Sequence, residues 1–114
     1  DECMEKVIKK VEYSSFFYED LKSIYTYGFE IFGEMMAEIL QSQILNVTQS
    51  LYFQYYLNPE CKHLETKTQI YRNIILGKYL IIYRIRTNKI EVLRALHGSQ
   101  SPKTIKTIKK IKIK

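Results

Sequence analysis

The feature that most constrains this chain is the stretch from residue 70 to 97, IYRNIILGKYLIIYRIRTNKIEVLRALH, where three β-type runs are separated by two short turns. The first run, 70–76, is broken by Gly77 and Lys78, and Gly supplies the positive φ that a tight hairpin turn needs. The second, 79–86, is rich in Ile and Tyr, which suit a pleated, packed surface. Thr87, Asn88 and Lys89 break it, Asn tolerating the left-handed region. The third, 90–96, ends at His97 and Gly98. The pattern predicts an antiparallel meander on which the rest of the chain packs. Two-residue turns at Gly77-Lys78 and Asn88-Lys89 would place Arg72 opposite Tyr83, Tyr71 opposite Arg84, Tyr83 opposite Arg94 and Leu93 opposite Arg84. Arg72, Tyr83 and Arg94 would then form a row across three strands, a set that a one-residue slip would move to the other face.

Upstream, KVIKKVEY (6–13) is β-compatible and could add a strand. Ser14 and Ser15 offer an N-cap, with Glu19 and Asp20 near the first turn, where acid favours the helix dipole. Phe17, Leu21 and Ile24 repeat at helical spacing, and Gly28 is a candidate stop, so a first helix is expected over about 15–27. After a tight corner, Phe32, Met36, Leu40, Val47 and Leu51 fall on one stripe that Ile39 and Ile44 widen. Asn58-Pro59 ends this second helix, because the residue before Pro avoids the helical region. Helix following helix with almost no linker implies an antiparallel αα-hairpin. The rings of Tyr52, Phe53, Tyr55 and Tyr56 at its end serve packing, unless all are exposed together as a base-stacking platform. The predicted fold is α+β: a helix pair on one face of a small antiparallel sheet, in the order β-α-α-β-β-β, with the other face free to be a site. Ile24, Leu40, Val47, Ile81 and Leu93 are core candidates. One domain over 1–114 is expected, its residues 101–114 a basic tail or short helix in which Ile105, Ile108 and Ile111 make a narrow apolar edge.

Charge is lopsided. Residues 1–57 hold 4 Lys/Arg against 9 Asp/Glu, a balance of −5, and residues 58–114 hold 14 against 3, a balance of +11. The second half should therefore carry a strong positive field, suited to nucleic acid, a ribonucleoprotein or an acidic protein segment. No apolar run approaches the ~18 residues of a membrane span, and residues 1–10 are charged throughout, unlike a secretory signal. Two scattered cysteines, Cys3 and Cys61, fit a reducing cytoplasmic compartment. Cys61 and His63 fall short of the four ligands of a zinc site, and no metal or cofactor is expected.

Among single residues, His97 stands at a strand end beside a glycine and is the candidate general acid or base; the alternative is a hydrogen-bonding residue that pins the last loop. His63 reads as a solvated loop histidine. Arginines inside strands are costly unless paired or facing an anion, and Glu91 is the only acid in the meander. Arg84, Arg86 and Arg94, with Lys78 and the tail residues Lys103, Lys106, Lys109 and Lys110, are thus candidate anion- or partner-binding residues. Sheet-rim arginines and a solvated lysine face are the competing reading.

The chain resembles the RelE/ParE superfamily of toxins from type II toxin–antitoxin systems. KVEYSSFFYEDLKSIYTYGFEIFGE is similar to its first strand and helix pair, YRNIILGKYLIIYRI to its central hairpin, and IEVLRALHG to its last strand with a terminal His-Gly. The resemblance implies a cytoplasmic, growth-arresting toxin of an addiction or plasmid-stabilisation module, neutralised by a cognate acidic antitoxin. One branch, RelE-like, cuts mRNA on the ribosome with basic side chains of the central strands; on that reading Arg72 and His97 would be catalytic. The other branch, ParE-like, poisons DNA gyrase and has no established hydrolytic residues. The RelE-like pattern Tyr-Arg-x-x-Tyr reads Tyr79-Leu80-Ile81-Ile82-Tyr83 here, with Leu80 in place of arginine. The ending His97-Gly98-Ser99-Gln100 is closer to the ParE-like His-Gly-x-Arg, with Gln100 in place of Arg. A gyrase poison is therefore favoured over a ribosome-dependent endoribonuclease or an inactive binding module. The antitoxin is expected to lay apolar anchors along Ile105, Ile108 and Ile111 while its acids meet Arg84, Arg86 and the tail lysines.

Overall fold

The computed structural model describes residues 8–98 and 100–113. Cys3, Ser99, Lys114 and the first residues of the expected entry strand lie outside them. Strand β1 (Lys10–Tyr13) leads into helix α1 (Ser15–Phe32), helix α2 (Glu34–Gln49) and a single turn, α3 (Leu51–Gln54). Strands β2 (Tyr71–Leu76), β3 (Tyr79–Ile85) and β4 (Lys89–His97) form the meander, and α4 (Pro102–Lys106) runs into a 3-10 turn, Thr107–Lys110. The sheet order is β1-β4-β3-β2, antiparallel within the meander but parallel between β1 and β4. The helices pack on one face of this mostly antiparallel sheet, as the α+β pattern implied.

Ser14 caps α1: its hydroxyl accepts the Phe17 N–H (3.0 Å) and donates to the Leu93 carbonyl (2.6 Å), tying the helix start to β4. The first helix does not stop at Gly28. It continues to Phe32, and Gly33 (φ 93°) is the corner, in a backbone region that side chains disfavour. Gly28 serves packing instead, since a Cβ there would sit 3.6 Å from Ala37 of α2. The main core lies between helices and sheet, where Phe17, Leu21, Ile24 and Ile44 meet Ile81, Tyr83 and Val92. Leu40 and Val47 reach it partly buried.

The β2–β3 register is the expected one, Tyr71 opposite Arg84 and Arg72 opposite Tyr83. The β3–β4 register is not. The turn residues are Thr87 and Asn88, closed by Arg86 N–H to the Lys89 carbonyl (2.9 Å), so Tyr83 faces Val92 and Arg84 faces Glu91. The register then shifts at Ile82/Tyr83, and Ile82 faces Arg94. This bulge skips Leu93 and leaves Arg94 and Ala95 both addressing α1: Asp20 accepts two Arg94 hydrogen bonds (2.6 and 2.8 Å) and the Ala95 N–H (3.0 Å). The expected row Arg72–Tyr83–Arg94 does not form. A different one does, Tyr71–Arg84–Glu91.

The second face of the sheet is not free. Ile105, Ile108 and Ile111 are buried against Ile82, Leu93, Leu96, Leu64 and Tyr71, so Leu93 belongs to this second core. Three-residue spacing suits the 3.0-residue turn of a 3-10 helix, which stacks i and i+3 on one edge. The tail is pinned by Arg84, which donates to the carbonyls of Ile111 (2.8 Å) and Lys109 (3.5 Å), to the Tyr71 hydroxyl (3.3 Å) and to Glu91 (2.6 Å). Arg86 and Lys89 also reach Glu91 (3.0 and 3.5 Å). The tail isoleucines, expected as anchors for an antitoxin, instead cover the protein's own sheet.

Candidate functional site

The bulged strand, the β2–β3 turn and α1 together form one cleft of about 330 Å³. Lys78, Arg94 and His97 line it with Asp20, Tyr27, Tyr79 and Gln100. Each is placed by backbone geometry. Gly77 takes φ 59° at the turn, which turns Lys78 towards the cleft. Tyr79 and His97 are opposite partners on β3 and β4, their rings edge to face at 6.1 Å. The Gly98 N–H donates to the Lys78 carbonyl at 2.7 Å, and a Cβ on Gly98 would lie 3.4 Å from that oxygen. Arg94 is held by its hydrogen bonds to Asp20, which outweigh partial burial and raise its pKa further, and it lies over the Phe16 ring (5.8 Å). With Arg94 neutralised by Asp20, the cleft offers Lys78 as a cation, an imidazole and two phenols. It can hold a carboxylate or a phosphate beside aromatic surface.

The other expected catalytic residue is elsewhere. Arg72 donates to the carbonyls of Gln69 (3.0 Å), Tyr56 (3.2 Å) and Asn58 (2.9 Å) and lies over the Tyr56 ring (5.5 Å). It clamps the loop that leads into β2. Tyr83 is fully buried, donates to the Tyr55 carbonyl at 2.6 Å, and burial pushes its hydroxyl up to about 12. Arg84 is interior as well, 2% exposed, while Lys103, Lys106, Lys109 and Lys110 are exposed on the tail. The four rings at the end of the helix pair are not exposed together: Tyr55 is in the core. Among the described residues no group of three or more His, Cys, Asp or Glu is placed to hold a metal, and no helix is long and apolar enough to cross a membrane.

A second groove, also about 330 Å³, adjoins the cleft and shares Tyr27, Lys78 and Tyr79 with it. Its walls are Phe32, Met36, Ile39 and Leu40 from the helix pair and Leu76 from the hairpin. Sequence periodicity assigns Phe32 and Met36 to the core, yet they are 68% and 51% exposed. Both side chains line the groove opposite Leu76 and Tyr79 of the hairpin. Phe29, Ile31 and Met35 are exposed around the same corner. The available signal was density: too many apolar residues on both sides of Gly33 for one buried face.

The fold has a solved counterpart. It superposes with a TM-score of 0.66 on a chain of a structure described as the chromosomal ParDE toxin–antitoxin system from P. aeruginosa, covering 79% of this chain and 96% of that one at 15% identity. No curated protein matches the chain in sequence. Residues 11–102, from β1 through the meander to the start of α4, match the family described as the ParE toxin of the type II toxin–antitoxin system parDE. The match spans most of the chain, and the protein belongs to that family of ParE toxins.

Proposed function

We propose that this toxin arrests growth by binding and poisoning DNA gyrase rather than by cutting RNA, and that a cognate acidic antitoxin silences it in the cytoplasm. The observation that carries the reading is the commitment of Arg72 to three backbone carbonyls, away from the cleft of His97. Cleavage by 2′-OH attack needs a base, an acid and a cation converging on one phosphodiester. Leu80 stands where the RNase-type pattern has arginine, and Tyr83 is sealed in the core. What is left at the surface suits protein recognition. Purified toxin with gyrase, ATP and supercoiled plasmid should accumulate linear DNA that appears only after protein digestion. Intact plasmid, together with codon-positioned mRNA cuts on ribosomes that a His97→Ala variant loses, would move the protein to the RNase class.

The two adjoining pockets supply the antitoxin reading. One end of the shared surface is apolar, and the other carries Lys78 and His97. An acidic segment that folds on binding could seat apolar side chains beside Met36 and Phe32 and turn its carboxylates towards Lys78. Met36→Asp should weaken antitoxin binding at least tenfold, ~1.4 kcal/mol, while the melting temperature stays put, because Met36 is half-exposed. Titration calorimetry with the cognate antitoxin measures this, and an unchanged Kd would remove the groove from the interface.

A further inference from the structure

Charge and exposed apolar surface are segregated in this molecule. Every large hydrophobic side chain exposed among the described residues lies between Ile8 and Ile75. Residues 76–113 hold ten Lys/Arg against a single Asp/Glu, Glu91. That one carboxylate is already engaged by Arg84, Arg86 and Lys89. The tail concentrates the excess. Its isoleucines are fixed in the second core, so Lys103, Lys106, Lys109, Lys110 and Lys112 are presented to solvent on an ordered element. None of the five forms an ion pair among the described residues. Lys112 also lines a shallow cleft of about 490 Å³ with Arg86, Thr87, Asn88 and Lys89, joining the tail ridge to the β3–β4 turn. Cations beside a hydroxyl and an amide are the usual contacts of phosphate oxygens.

We propose that the tail ridge and the adjoining β3–β4 turn form a binding surface for the phosphate backbone of duplex DNA. The argument is one of elimination by chemistry. A protein partner held with useful residence time needs apolar anchors at the centre of its site, and this surface offers only the partly buried Ile113 at its edge. A single strand needs exposed rings to stack on, and Tyr71, over which the Lys109 ammonium lies (5.8 Å), is buried. A duplex backbone asks only for cations at a regular spacing. From Lys103 to Lys110 the tail advances ~11–14 Å at helical rises, an axial length equal to three or four base-pair steps of a duplex at ~3.4 Å each. The surface lies apart from the antitoxin groove and does not depend on gyrase being the target.

Fluorescence anisotropy with a labelled duplex of about two helical turns, and no gyrase present, tests this on the full chain. Binding should fall in the ~1–100 µM range at ~50 mM salt and weaken with a log–log salt slope of about −3 to −4. Replacing Lys103, Lys106 and Lys110 with Gln should weaken binding at least tenfold and bring the slope to about −1. A control with Lys22, Lys62 and Lys67 replaced by Gln, of equal net charge, should behave like wild type. Circular dichroism checks that both variants fold. Equal losses in the two variants would reduce the effect to net charge and overturn the proposal, as would no duplex binding by the wild type. Tighter binding of a single strand or of a poly-glutamate peptide would also overturn it. The gyrase reading is untouched by any of these outcomes, since it is read from plasmid cleavage.

Discussion

Ile108→Ala should lower stability by about 2–5 kcal/mol, the cost of truncating a fully buried isoleucine in a packed site. Ile108 is 0% exposed, between Ile105 and Ile111 and against Ile82, Leu93 and Leu96. Each of the three tail isoleucines contributes about 1.5–3 kcal/mol of transfer free energy, as an upper estimate. Lys106→Ala, two residues away on the wet side, should change stability by less than about 0.5 kcal/mol. Urea melts of the two variants would show a shifted midpoint for the first and near coincidence with wild type for the second. An Ile108→Ala midpoint within error of wild type would mean that the tail is a mobile appendage. Truncation of the tail is on this account a stability experiment before it is a binding one, and antitoxin affinity is better probed at Met36.

The second large effect belongs to Glu91. Its carboxylate and Arg84 are both nearly sealed from solvent, 4% and 2% exposed at the side chain, and 2.6 Å apart. Glu91→Gln keeps the shape but leaves the guanidinium charge uncompensated, which should cost about 3–5 kcal/mol. The double variant Arg84→Met, Glu91→Leu should recover most of that loss, because two apolar side chains of similar volume need no desolvation. A double variant as unstable as the single one would show that the Arg84 bonds to the tail carbonyls, not the ion pair, dominate. The pair also sets the response to acid. Burial alone would raise the Glu91 carboxyl, but hydrogen bonds and charge from Arg84, then Arg86, outweigh it and hold it below its ordinary value of 4.5. A carboxyl depressed in the folded state contributes stability that is fully present above its unfolded pKa. That stability is lost as pH falls from about 4.5 through the lower folded value. Wild-type melting temperature should therefore drop over this window, and the Glu91→Gln curve should be flatter there.

Much of the fold was legible because it is written in local patterns. Gly77 marks one hairpin, Ser14 a cap, and the stripe from Phe17 to Ile24 a helix face, and each needs only its neighbours in sequence. What escaped depends on contacts distant along the chain. The turn residues Thr87 and Asn88 differ by one position from the expected pair, and the bulge at Leu93 compensates with Asp20, some 74 residues away. No rule of turn composition sees that partner. Gly28 looks like a stop because glycine usually ends helices, but Ala37 needs the space it leaves. The apolar edge of the tail was readable, yet periodicity gives a stripe without saying what covers it. The same ambiguity hid the groove at Phe32 and Met36, where an apolar stripe faces the β2–β3 hairpin across an open cleft. At the site, His97, Lys78 and Arg94 were identified singly, but their convergence on one cleft rests on the bulge.

The parallel pairing of β1 with β4 sets a clock. Val11 finds its partner in Ile90, and Ser14, which starts α1, bonds to Val92 and Leu93. At translation rates of about 5–20 residues per second, the ~79 residues between Val11 and Ile90 take ~4–16 s to synthesise. During that interval the first strand has no ladder to join, and the cleft between α1 and β4 has only one wall. A chain of this topology acquires the cleft between α1 and β4 at a late, non-local step. Any partner already present in the cell thus meets the finished surface only after β4 has been made.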